Sequence, residues 1–174
     1  MKKLEEYVRS IPDFPEPGII FRDVTSILQD ADGLHLAVDS LIHMVEDLDY
    51  DVVIGPESRG FIFGVPVAYA QHKSFVPVRK QGKLPCETIS MDYELEYGTA
   101  TIEIHKDAIK PGQRVVIVDD LIATGGTTEA IIKLIEKLGG VVAKICFVME
   151  LAGLNGREHL KGYDVDSAII YEGK

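Results

Sequence analysis

Two adjacent carboxylates and a glycine-rich loop follow an apolar run in the second half of the chain. The run 115–118 ends in Asp119 and Asp120. The loop that comes next contains Ala123, Thr124, Gly125, Gly126 and Thr127. Glycines allow backbone N–H groups to approach an anion closely, and a helix that begins at such a loop adds a favourable dipole. The loop therefore predicts a phosphate-binding site.

The two carboxylates limit what this phosphate can belong to. A loop that binds triphosphates requires Lys after its second glycine, but Thr127 follows Gly126. Nowhere in the chain are two glycines separated by a single residue, so the glycine fingerprint of dinucleotide sites is absent as well. Carboxylates repel a phosphate unless they face hydroxyl groups or a metal ion. A phosphorylated ribose that also carries a magnesium-bound anionic group meets all of these conditions.

Strands and helices alternate along the chain. Apolar patterning predicts strands at 52–54, 75–78, 99–105, 115–118, 141–149 and 165–171, and helices at 4–10, 32–48, 59–71 and 127–138. This alternation predicts an α/β fold with a doubly wound, mostly parallel sheet flanked by helices. Ligands of such sheets bind beyond the carboxyl ends of the strands, where residues 57–60 and 119–127 must lie. The segment 80–98 is polar and lacks clear periodicity.

Composition excludes several classes of protein. The 174 residues are 46% hydrophobic with a mean hydropathy of +0.09, which is enough for one folded domain. A net charge of −10 gives no electrostatic support for binding nucleic acid or an anionic membrane. The cysteines and scattered histidines match neither a disulfide scaffold nor a zinc site. Since the chain also lacks a signal sequence and an apolar stretch of about 20 residues, we expect a cytoplasmic protein that binds neither nucleic acid nor membranes.

The apolar run, the two aspartates and the Thr-Gly-Gly-Thr loop together resemble the phosphoribosyl-diphosphate loop of the type I phosphoribosyltransferases. Three further groups of residues resemble the branch of this family that acts on adenine: 11–15 with 18–23, 57–61, and 78–80 with 83–85 and 95–98. The resemblance covers nearly the whole chain in the order of the family. It implies the type I fold as a single domain over 1–174, with a base-binding N-terminal hood over about 1–30 and a flexible lid over about 80–98.

The activity implied by this resemblance is transfer of the 5-phosphoribosyl group from phosphoribosyl diphosphate to adenine, which yields AMP and diphosphate. The resemblance also implies a homodimer, and Mg²⁺ that is held mainly by phosphoribosyl diphosphate, with no metal ligands from the protein. In this family the loop 123–127 surrounds the 5-phosphate, while Asp119 and Asp120 approach the ribose hydroxyls.

Two segments are implied to bind the diphosphate. One is the turn after the strand 52–54, and the other is a basic cluster, some of whose side chains reach the partner's site across the dimer interface. Together they comprise Glu57, Ser58, Arg59, Arg79, Lys80 and Lys83. Judged by residue type alone, Arg59 is more typical of a solvated helix start and the basic cluster of a solvated loop.

The lid and the hood are implied to act on the base. Glu96 resembles the acid/base that handles the proton of the adenine ring nitrogen, and Tyr97 braces the lid or the diphosphate. The residues implied to line the base pocket are Ile20, Phe21, Arg22 and Leu151. Backbone groups at the first three read the edge of the purine, and Phe21 adds an aromatic wall. By residue type alone, Phe21 is also a candidate core residue and Glu96 a surface acid.

Two other functions are compatible with parts of the pattern. The first is the same chemistry on a 6-oxopurine such as xanthine, against which the Phe21-Arg22 stretch and the segment 95–98 argue. The second is a non-catalytic sensor of phosphoribosyl diphosphate that regulates transcription. A sensor of that kind needs a DNA-binding domain and a basic surface, for which this chain has neither length nor charge.

Overall fold

The computed structural model describes residues 2–95 and 98–173. The strands in this part of the chain are β1 (Arg9–Pro12), β2 (Ile20–Asp23), β3 (Val52–Pro56), β4 (Ser74–Lys80), β5 (Thr88–Glu94), β6 (Thr99–His105), β7 (Arg114–Ile122), β8 (Val141–Leu151) and β9 (Val165–Tyr171). Its α-helices are α1 (Ala31–His43), α2 (Arg59–Ala70) and α3 (Gly126–Lys137). Short 3₁₀ helices occur at Leu4–Tyr7, Val24–Gln29, Ala152–Leu154 and Gly156–Leu160.

Seven strands form one sheet in the order β5-β6-β4-β3-β7-β8-β9, and β1 and β2 form a separate antiparallel hairpin. Strands β3, β4, β7, β8 and β9 are parallel, whereas β5 and β6 add an antiparallel hairpin beside β4. The predicted doubly wound, mostly parallel sheet is therefore confirmed. From β3 the chain continues outward to β4 on one side, and from β7 to β8 and β9 on the other. The strand order thus reverses between β3 and β7, where ligands of such sheets bind.

The central strand β7 is buried on both faces, as its continuous apolar run predicts. Val116 and Phe63 of α2 belong to the core on one side of the sheet, while Ile117 and Ile131 of α3 belong to the core on the other. Successive side chains of a strand point to opposite faces, which explains the division. Helices therefore cover both faces of the sheet, and the ends of its central strands are left to form a site.

The N-terminal helix and the end of α1 differ from the prediction. Instead of a helix over 4–10, a single 3₁₀ turn at Leu4–Tyr7 leads into β1, because residues 9–12 pair with β2. Helix α1 ends at His43, although the apolar pattern continues to about Leu48. Val45 is nevertheless buried, since the turns after the helix keep it against the core. The apolar periodicity after His43 therefore indicates which side chains are buried, and it does not indicate that the helix continues.

The segment 80–98 contains regular structure that the sequence analysis does not predict. Strand β5 pairs antiparallel with β6 along its full length, from Thr88 opposite His105 to Glu94 opposite Thr99. Ile89, Met91 and Tyr93 pack against the core at alternate positions of this strand. The interpretation of the segment as aperiodic is wrong, because this short alternation is typical of a half-buried strand.

Candidate active site

The turn between β3 and α2 packs directly against the end of β7. A Cβ at Gly60 would lie 2.7 Å from Cδ of Pro56 and 3.0 Å from Oδ1 of Asp119. A Cβ at Gly55 would lie 3.0 Å from the carbonyl oxygen of Gly60 and 3.1 Å from that of Val118. The contact with Pro56 is closer than a Cβ makes, and the other three are tight, so glycine at both positions lets the turn pack closely against the end of β7.

The two aspartates have different surroundings. Asp120 is only 4% exposed, and its Oδ2 lies 2.7 Å from Nε of Arg59. Asp119 Oδ1 accepts a hydrogen bond of 2.8 Å from the backbone N–H of Asp120. Burial, and secondly the neighbouring Asp120 carboxylate, raise the pKa of Asp119 well above its ordinary value. A ligand that donates hydrogen bonds or brings positive charge to Asp119 would relieve this cost.

The loop 123–127 forms a small cavity at the start of α3. The cavity has a volume of about 110 Å³ and is lined by Asp119 and by residues 121–128. Gly125 has a φ of +86°, a left-handed conformation that favours glycine, and no side-chain hydrogen bond caps the helix here. The first backbone N–H groups of α3 are therefore at the cavity and are not used by a capping side chain. They remain available to bind an anion.

Glu57 holds two of the predicted diphosphate ligands. Its nearly buried carboxylate lies 2.7 Å from Nε of Arg79 and 2.9 Å from Nζ of Lys83. Burial raises the pKa of Glu57, but the hydrogen bonds from Lys83 and Arg79 outweigh it and lower the pKa below its ordinary value. Glu57 is thus ionised and orients cations. Ser58 and Lys80 are exposed; Ser58 lies at the end of the turn, directly before α2, and Lys80 lies at the end of β4.

Glu103 is a buried acid that the sequence analysis does not single out. It accepts a hydrogen bond of 3.0 Å from the backbone N–H of Leu84. This bond is the largest influence on the pKa of Glu103, and with the other hydrogen bonds it outweighs burial and lowers that pKa. Glu103 therefore fixes the turn that carries Lys83. The sequence contains a signal for this role: Glu103 lies between two isoleucines of β6, and a buried acid at such a position needs a hydrogen-bond partner.

The hairpin of β1 and β2 presents apolar side chains to solvent. Ile20 and Phe21 are both exposed, Phe21 by 38%, and the rings of Phe14 and Phe21 contact each other edge to face at 5.4 Å. The interpretation of Phe21 as a core residue is therefore wrong. Exposed aromatic surface of this kind is available to stack on a planar ligand.

Arg22 fastens this hairpin to the sheet. Its guanidinium lies over the ring of Tyr171, 4.1 Å from the centroid, and also donates a hydrogen bond to Oγ of Ser10. Tyr171 in turn is the β9 partner of Leu151, the last residue of β8. Arg22 and Leu151 are thus brought together through Tyr171, which the sequence analysis did not identify. The side chain of Arg22 contacts Ser10 and Tyr171, which favours its backbone as the part that contacts a base.

The predicted lid residues Glu96 and Tyr97 lie outside the described residues. The residues around them approach the phosphate loop: Leu95 lines a cavity of about 610 Å³ together with Thr124 and Gly126. The carbonyl oxygen of Glu94 would lie 3.5 Å from a Cβ at Gly126. The end of the β5–β6 hairpin is therefore beside the phosphate loop, and the roles of Glu96 and Tyr97 stay predictions.

Over residues 2–95 and 98–173, no group of three or more His, Cys, Asp or Glu side chains could hold a metal ion. Asp119 and Asp120 nevertheless fit Mg²⁺, which binds through one or two carboxylates when phosphates supply other ligands. In the same described part of the chain, no helix combines the length and apolar character needed to cross a membrane.

Comparisons with known proteins agree on one family. The model of the phosphoribosyl transferase domain matches residues 26–173. Adenine phosphoribosyltransferase from Lachnoclostridium phytofermentans is 72% identical over the full length of both chains. The crystal structure of adenine phosphoribosyltransferase from Thermoanaerobacter pseudethanolicus has a TM-score of 0.91 and 53% identity, covering 97% of this chain and 100% of that one. The enzyme from Saccharomyces cerevisiae, complexed with an imino-altritol bisphosphate and adenine, has a TM-score of 0.87 and 40% identity, covering 95% and 96%.

Proposed function

The chain belongs to the phosphoribosyl transferases, and within them to the adenine phosphoribosyltransferase family, and from this premise we propose that it transfers the 5-phosphoribosyl group of phosphoribosyl diphosphate to adenine. The products are AMP and diphosphate, as in purine salvage. The observation that carries this function is the identity of 72% over the whole chain. A relative with bound adenine and a bisphosphate supports the substrate pair.

Activity with four bases tests the assignment. We expect turnover with adenine and at least about 10²-fold lower kcat/KM with hypoxanthine, guanine and xanthine, because a site that satisfies the 6-amino group leaves buried polar groups unpaired against a 6-carbonyl. The measurement is AMP or other nucleotide formation from phosphoribosyl diphosphate. Preference for a 6-oxopurine would contradict the proposed substrate.

The ribose 5-phosphate part of the substrate is proposed to bind at the end of β7. The loop 123–127 offers backbone N–H groups to the 5-phosphate at the start of α3. Asp119 and Asp120 accept hydrogen bonds from the ribose hydroxyls. As the bond from the anomeric carbon to diphosphate breaks and the bond to the adenine nitrogen forms, positive charge develops on the sugar. The carboxylates stabilise that charge, which adds a contribution specific to the transition state.

The diphosphate is proposed to bind between the β3–α2 turn and the end of β4. Arg59 is half exposed and already lies at the turn, where its planar fork suits two phosphate oxygens. Diphosphate then competes with Asp120 for Arg59 and releases that carboxylate for the sugar. Arg79 and Lys83 supply further charge, oriented by Glu57. Mg²⁺ held mainly by phosphoribosyl diphosphate would neutralise the negative charge of the leaving diphosphate.

Adenine is proposed to bind between the N-terminal hairpin and the end of β8. Phe21 offers an aromatic face, backbone groups at 20–22 read the edge of the base, and Leu151 closes the pocket. The segment 80–98 covers the site and excludes water, which otherwise competes with adenine for the activated sugar. The two free cysteines, Cys86 exposed and Cys146 buried, suit the cytoplasm as the proposed compartment.

A requirement for magnesium is tested by thermal unfolding. Phosphoribosyl diphosphate at a hundredfold excess over its Kd is expected to stabilise the fold by about 2.7 kcal/mol, because it binds the native state alone. For a chain of this size, the increase in Tm is roughly 5–10 °C. In excess chelator we expect little increase, since the diphosphate charge is then not neutralised. Ribose 5-phosphate is the control, and its shift should not depend on magnesium. An equal shift by phosphoribosyl diphosphate in chelator contradicts the requirement.

A homodimer is proposed through the outer face of α2. Ile62, Val65 and Tyr69 lie on one side of this helix and are 40%, 47% and 88% exposed. After Arg59 the helix carries no charged residue, and a helix that is apolar all round is usually buried. The face can pair with itself about a two-fold axis. It begins at the diphosphate turn, so a second copy here adjoins both sites.

Val65→Glu tests the dimer. We expect this variant to be mainly monomeric in light scattering at micromolar concentration and to lose activity, because the charge would be buried at the two-fold axis. Val141→Glu is the matched control: Val141 is also 47% exposed but lies at the start of β8. It should remain dimeric. A monomeric wild-type chain with full activity would exclude the proposed dimer.

A further inference from the structure

The segment 156–160 packs against the phosphate loop without intervening side chains. A Cβ at Gly125 would lie 2.4 Å from the carbonyl oxygen of Gly156. A Cβ at Gly156 would lie 2.3 Å from the carbonyl oxygen of Ala123 and 2.8 Å from Cγ1 of Ile122. The two backbones are therefore in direct contact, and each glycine makes room for the other segment.

This segment is anchored to the sheet by an ion pair. Arg157 donates hydrogen bonds of 2.8 and 2.7 Å to the two carboxylate oxygens of Glu150, and a third of 2.9 Å to the carbonyl oxygen of Val165. The hydroxyl of Ser167 donates a further bond of 2.7 Å to Glu150. Glu150 is nearly buried at the end of β8. A two-bond fork of this kind fixes position as well as charge.

A second connection joins the segment to the first turn of α3. Nδ1 of His159 lies 2.7 Å from Oε2 of Glu129, whose backbone N–H donates to the carbonyl oxygen of Gly125. Glu129 also forms an ion pair with Lys133. Both ends of the phosphate loop are thus held from outside, which matters because no side chain within the loop caps the helix.

We propose that the segment 156–160 is a support that holds the loop 123–127 in its phosphate-binding conformation, with Gly156 and Arg157 as positioning residues for the 5-phosphate. The inference rests on the proposed function. Backbone donors bind an anion tightly only when they are aligned beforehand, and a displacement of about 1 Å can cost about 10²-fold in rate. Contact between two backbones transmits any movement of Gly156 to the loop.

Binding of ribose 5-phosphate to the full chain tests the proposal, because this probe occupies the loop without the base or the diphosphate. Gly156→Ala is expected to weaken its Kd by at least tenfold and to raise the KM for phosphoribosyl diphosphate similarly, with the KM for adenine within twofold. Gly162→Ala is the matched control. Gly162 has a φ of +91° and no neighbour within 4 Å of a Cβ, so alanine there strains the backbone without touching the loop. Its Tm should fall, but its Kd should not change.

Arg157→Lys provides a second variant in case Gly156→Ala does not fold. Lysine keeps the positive charge but cannot form both hydrogen bonds to Glu150. We therefore expect the Kd for ribose 5-phosphate to rise several-fold, while the KM for adenine stays unchanged. Lys144→Met is its control, because Lys144 makes ion pairs with Asp164 and Asp166 at the other end of β8. If both Gly156→Ala and Arg157→Lys bind the probe as the wild type does, or if the controls weaken it equally, the inference is wrong. A wild-type chain that binds no ribose 5-phosphate overturns both this inference and the proposed function.

Discussion

The double variant Asp119→Asn/Asp120→Asn is expected to lose at least about 10²-fold in kcat/KM. The single variant Asp119→Asn is expected to unfold at a higher temperature than the wild type. The loss follows from the proposed contacts: hydrogen bonds to charged groups are each worth about 1.5–3 kcal/mol, and each 1.4 kcal/mol is about tenfold. The amides keep the shape of the carboxylates but not the charge that stabilises the developing positive charge on the sugar.

The gain in stability follows from the pKa of Asp119. Burial and the carboxylate of Asp120 raise this pKa in the folded protein. The folded protein therefore binds the proton more tightly than the unfolded chain, and it loses stability as pH rises from the unfolded pKa through the folded one. Above that range the cost is fully present. Asparagine carries no charge, so Asp119→Asn removes this destabilisation at neutral pH. In acid, where Asp119 is already protonated, the substitution should not change the stability of the fold.

Tm measured across pH, together with steady-state kinetics, checks both parts of this prediction. Asp47→Asn is a suitable control, since Asp47 is an exposed carboxylate in the turns after α1. It should leave Tm and kcat/KM unchanged. Near-native turnover of the double variant, with a normal circular dichroism spectrum, would refute the proposed role of the two aspartates. A Tm of Asp119→Asn below that of the wild type at neutral pH would refute the argument about its pKa.

Local signals account for what the sequence predicts well. The strand 165–171 has the predicted bounds, and β7, the loop 123–127 and α3 follow one another as expected. Each of these features is specified by contiguous residues: the strands by apolar runs, the loop by a pair of glycines, and α3 by apolar residues at helical spacing. The alternation of Ile89, Met91 and Tyr93 in β5 was an equally local signal, but it is short and lies within the long polar segment 80–98, which obscured it.

Pairs between distant residues account for what the sequence does not predict. Glu57 meets Arg79 because β3 and β4 are neighbours, and Arg59 meets Asp120 because β3 also lies beside β7. Residue types alone cannot give that strand order. The resemblance to a family predicts the diphosphate turn and the basic cluster as ligands, but it does not predict that Glu57 holds the cations in place. The site's electrostatics therefore depend on topology as much as on motif.

Glu96→Gln is expected to lower kcat by about 10²–10⁴-fold, the usual contribution of a general acid or base. Glutamine keeps the size and much of the hydrogen bonding of glutamate but cannot accept the proton that adenine loses as its ring nitrogen bonds to the sugar. The resemblance of the segment 95–98 to the lid of the family carries this prediction. Glu87→Gln is the matched control, because Glu87 is an exposed acid of the same segment that pairs with Lys106.

The pattern of the kinetic change distinguishes proton transfer from binding. An interaction made only in the transition state is lost equally from kcat and from kcat/KM for adenine. The Kd for phosphoribosyl diphosphate should stay within about twofold, because Glu96→Gln leaves unchanged every residue proposed to bind that substrate, at 57–60, at 119–127 and in the basic cluster. A raised KM for adenine with unchanged kcat would instead make Glu96 a residue that binds the base or closes the lid, since removing binding shared by substrate and transition state leaves the chemical step untouched.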